Sequence, residues 1–67
     1  METSALSNEV TQFVYELILA SHGDITIALR TLQGYIRDYS AGTFPMLAHE
    51  VKLVSLSIER LLAAQSN

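Results

Sequence analysis

Four consecutive residues, Ser21-His22-Gly23-Asp24, set a hydroxyl, an imidazole and a carboxylate side by side. Nucleophilic catalysis uses those groups: a nucleophile, a base within hydrogen-bond reach and a residue that orients the base. Catalytic groups converge from separate parts of a fold, however, and the tetrapeptide has a simpler use. Gly23 suits the left-handed residue that follows a helix, and Asp24 suits the cap of the next one. A second candidate, His49-Glu50, opens like the HExxH zinc motif, but Leu53 stands where the second histidine belongs. His22 and His49 are the only histidines, there is no cysteine, and the seven acidic residues are spread almost evenly. No glycine-rich phosphate loop occurs. The sequence therefore predicts no enzyme, no catalytic residue, no cofactor and no metal centre.

The elements around these residues carry a helical period. Over 5–21, Leu6, Val10, Phe13, Leu17 and Ala20 recur at 4-3-4-3 spacing, Val14 and Ile18 widen the stripe, and Tyr15 and Leu19 fall largely outside it. Ser4 or Ser7 is the expected cap. Over 25–40, Ile25, Leu29, Leu32, Ile36 and Tyr39 form a second stripe flanked by Ala28 and Tyr35. Gly34 lies on its opposite face. Gly42 is the expected end of this helix, Thr43 the cap of the next, and Pro45 a first-turn residue whose missing N–H does no harm. So short a connection predicts an antiparallel helical hairpin.

The third segment, 45–64, has an a/d-type seam of Leu47, Val51, Val54, Ile58, Leu61 and Gln65. At 100° per residue from Leu47, Leu56 falls at about 180° and Leu53 at about 240°. Both interrupt the polar face that holds His49, Lys52, Glu59 and Arg60. The expected fold is thus all-α: a hairpin of about 25–40 and 45–64, preceded by an amphipathic helix of about 5–21, in one domain over 1–67.

Sixty-seven residues bury only about 60% of the surface of the unfolded chain, so the core is marginal. Domains of this size lean on disulfides, metals or partners, and only the last is on offer. Hydrophobic residues make up 49% of the chain, which excludes disorder. The net charge is −3, and the four basic residues, Arg30, Arg37, Lys52 and Arg60, stand singly. Nucleic acid and anionic membrane surfaces are therefore not the expected partners. No apolar run approaches a membrane span, and "METSALSNE" lacks a signal-peptide pattern, so a soluble cytoplasmic protein is expected.

One stretch resembles a known family. "TFPMLAHEVKLVSLSIERLL" is similar to the E-type co-chaperones of the type III secretion needle protein, the YscE, PscE and SsaE family. The resemblance rests on Phe44 at the turn exit, Leu47, Glu50, Lys52, Val54 and Ile58, with Ile25, Thr26, Leu29 and Leu32 leading to Gly42. It spans about residues 25–62. It implies a helical hairpin that binds a larger tetratricopeptide-type chaperone in the bacterial cytoplasm. Together they would keep a needle subunit soluble and unpolymerised before export. The first helix is longer and more apolar than the family would lead one to expect.

Partner contact is accordingly expected through Phe13, Ile18 and Leu19 on the first helix and Leu53 and Leu56 on the third. A different class of function is also compatible: a small dimeric helical regulator that inhibits a transcription factor, or another protein, by direct contact. That reading expects a homodimer when the protein is alone.

Overall fold

The computed structural model describes residues 2–66 and contains three helices, α1 (Glu2–Ala20), α2 (Ile25–Ser40) and α3 (Ala48–Ser66). α2 begins and ends where its sequence signals lie. Asp24 has extended backbone (φ −93°, ψ 107°), and its carboxylate accepts the Thr26 and Ile27 N–H groups at 2.9 and 3.3 Å. Two of the unpaired donors of the first turn are thereby satisfied. Asp24→Ala is expected to destabilise the protein by about 1 kcal/mol, read as a lower urea midpoint at constant slope.

α1 closes with two successive left-handed residues, His22 (φ 57°) and Gly23 (φ 79°). The Gly23 N–H reaches the Ile18 carbonyl at 2.8 Å, so the chain turns sharply into Asp24. The Ser21-His22-Gly23-Asp24 stretch is therefore a helix-to-helix corner. α1 starts earlier than its apolar period suggests. Positions 4 and 7 both lie inside it, and neither serine is the cap, which must flank the first turn from outside.

The start of α3 also differs from expectation. Thr43 does not cap it, and Pro45 precedes it. Thr43 instead closes α2: its N–H and hydroxyl both donate to the Asp38 carbonyl, at 3.0 and 3.1 Å, with Gly42 left-handed (φ 80°). Once Thr43 serves the preceding helix, the next one must begin later. Its flanking residue is Leu47, whose carbonyl accepts from Val51 and whose N–H donates to Glu50 Oε1 at 2.8 Å.

The core gathers one stripe from each helix: Val10 and Val14 from α1, Ala28, Leu29 and Leu32 from α2, Val54 and Leu61 from α3. α2 and α3 lie antiparallel, with Gln65 near the end of α3 bonded to Thr26 near the start of α2. α1 packs on this hairpin as a third helix. Glu9 meets His49, yet Thr11 meets Arg60, about 16 Å further along α3. Two residues of α1 that reach so far apart require it to cross α3 rather than lie along it. Ser57 is wholly buried, and its hydroxyl donates to the Leu53 carbonyl at 2.7 Å. Its small side chain brings no unpaired polar group into the interior.

This crossing corrects the expected outer face of α3. Leu53 and Leu56 are half-buried and packed against the core, because α3 has two neighbours where a single-seam reading assigns one. Gly34 faces open space: an added Cβ would meet only Arg37 Nη2, at 3.7 Å. Gly34→Ala is therefore expected to stabilise the fold by about 1 kcal/mol, measured by chemical unfolding.

Candidate functional site

The hairpin turn holds the most developed surface feature. The Asp38 carbonyl collects three donors, the Thr43 N–H and hydroxyl and the Phe44 N–H, the last at 3.2 Å. This draws the loop back over α2 and lays the Phe44 ring on Tyr35, with centroids 5.4 Å apart and planes inclined by 14°. Offset stacking at this separation is a favourable aromatic geometry. The stacked pair forms one wall of a groove of about 210 Å³, and Phe13 of α1, Pro45 and Met46 before α3, and Leu53 and Val54 within it complete its apolar lining. Glu50 is the one charged residue lining it.

Leu47, next in the chain to Met46 of the groove, does not line it and breaks a local rule. It occupies the cap position of α3, where serine, threonine, aspartate or asparagine would accept an N–H from the first turn and leucine cannot. Glu50 supplies half of a capping box by accepting the Leu47 N–H, and the reciprocal half is missing. Nor does burial compensate, since Leu47 is 73% exposed. Its side chain therefore neither caps the helix nor packs in the core.

No family model, characterised protein or solved structure matches this chain. Function must be read from the surface itself.

The expected partner residues are dispersed. Phe13 and Leu53 meet in the groove. Leu56 faces α1 beside Leu6 and Val10, and Ile18 packs against the core. Leu19 is 60% exposed on α1, away from the core, with Tyr15 one turn before it at 62%. Tyr35, Phe44, Met46 and Leu47 are the additions. For Tyr35 and Phe44 the signal in the sequence is an aromatic residue on each side of the Gly42 turn, which the stack joins.

Two further hollows, about 390 and 300 Å³, flank Leu6 where α1 crosses α3. They are larger, and part of their polar lining is already engaged: Arg60 with Thr11 at 2.6 Å and His49 with Glu9 at 2.8 Å. They are spaces left by crossing helices. Among the described residues, no group of three histidine, cysteine, aspartate or glutamate side chains is placed to hold a metal ion. No described helix is long and apolar enough to cross a membrane.

Proposed function

We propose that this protein acts by binding rather than by catalysis, as a small co-chaperone. Its hairpin would join a larger tetratricopeptide-type chaperone in the bacterial cytoplasm, and the pair would hold a type III secretion needle subunit soluble and unpolymerised. The observation that carries a binding role is Leu47, exposed at a cap position where it costs stability. The Tyr35–Phe44 stack and the groove beside it add apolar surface at the same turn. Helices and grooves of this kind are an established recognition mode. The secretion assignment draws on the resemblance of residues 25–62.

A second reading has its own observation. A monomer of this mass exposes about 4,200 Å² on average, whereas this chain exposes 4774 Å². The excess suits association, with a second copy in a dimeric regulator as readily as with a different chain.

Tagged protein recovered from its host separates the two. Stoichiometric recovery of a tetratricopeptide chaperone with a small needle-like subunit is the expected result. Recovery of itself alone, with sedimentation at twice the monomer mass, would reject the co-chaperone and establish the dimer.

A further inference from the structure

We propose that the groove at the hairpin turn takes an amphipathic helix of a partner whose apolar anchors are flanked by lysine or arginine, with the Glu50 carboxylate as the contact for that cation. This rests on the reading of the turn end as a docking surface and adds the chemistry of its occupant. At about 210 Å³ the groove is smaller than the roughly 300–1,000 Å³ of small-molecule pockets, so it suits side-chain anchors.

Charge decides among the possible occupants. None of the four basic residues lines the groove. Glu50 spends one oxygen on the Leu47 N–H, and among the described residues no cationic group lies within 4.0 Å of its carboxylate. A carboxylate has about four acceptor positions, so most of its capacity is free. Covering it with a neutral or acidic apolar surface would take water from a carboxylate whose charge only the start of α3 offsets, and only in part. A cation at the edge of the occupant's apolar face removes that penalty and fixes the register of docking. The chain's own charge of −3, with its basic residues standing singly, makes a second copy a poor occupant.

The test uses the full chain and two fluorescein-labelled helical peptides with the same leucine stripe, one flanked by lysines and one by glutamates. The lysine peptide is expected to bind more tightly by about threefold or more at low salt, with the difference shrinking at high salt. Amide shifts on titration should centre on Tyr35, Phe44, Glu50 and Leu53. In Glu50→Gln the amide oxygen still accepts the Leu47 N–H, so the helix start is kept while the charge is lost. The peptide preference should vanish in that variant, and Phe44→Ser should weaken both peptides. Equal affinities, or a preference that survives Glu50→Gln, would overturn the cationic contact while leaving turn-end docking in place. Shifts centred on Tyr15 and Leu19, or binding only as a self-associated species, would overturn both.

Discussion

Leu32→Ala is expected to leave the protein largely unfolded at room temperature. Leu32 is completely buried in the cluster that all three helices share. Truncating a leucine in such a place costs about 2–5 kcal/mol, part transfer and part cavity. A core in a chain this short supplies only about 3–5 kcal/mol in total. The loss is therefore comparable to the whole stability, and helical circular dichroism should collapse without denaturant. Leu32→Met, which conserves volume, should cost less than about 1.5 kcal/mol and keep the dichroism. If Leu32→Ala retained full helicity and a sharp unfolding transition, the core described above would not be what holds the helices together.

Leu47→Ser should move stability and binding in opposite directions. The serine hydroxyl completes the capping box that Glu50 half supplies, worth about 0.5–2 kcal/mol, so the urea midpoint should rise. The same substitution removes an apolar side chain that is 73% exposed at the turn end of α3. Truncating an apolar anchor at an interface costs about 2 kcal/mol or more, so affinity for the partner should fall by about thirtyfold. A leucine without a partner role would show the stability gain alone. A variant that is more stable and binds undiminished would place the interface elsewhere.

How far the chain can be read without its structure depends on which interactions are local. α2 was legible to the residue because Asp24 and the left-handed Gly42 act within a few positions of its ends. The start of α3 was not, since Thr43 can serve either neighbouring helix and the Asp38 carbonyl captures it. Leu53 and Leu56 illustrate a different limit. Helical period tells which residues share a face, but not that α1 would cross over that face and half-bury it. Of the site, Phe44 stands out in the sequence as an aromatic at a turn exit and Tyr35 only as the flank of a stripe. Their stacking depends on the loop folding back through three donors on one carbonyl, which no spacing rule announces. Phe13 joins them only because α1 packs as a third helix.

The central claim is that the hairpin-turn end is where this protein meets its partner. Amide hydrogen exchange of the protein alone and in the complex recovered from its host tests it most directly. Slowed exchange concentrated in residues 35–54, with the outer face of α1 unchanged, is the predicted result. Protection centred instead on α1 around Tyr15 and Leu19, with the turn exchanging as in the free protein, would contradict it.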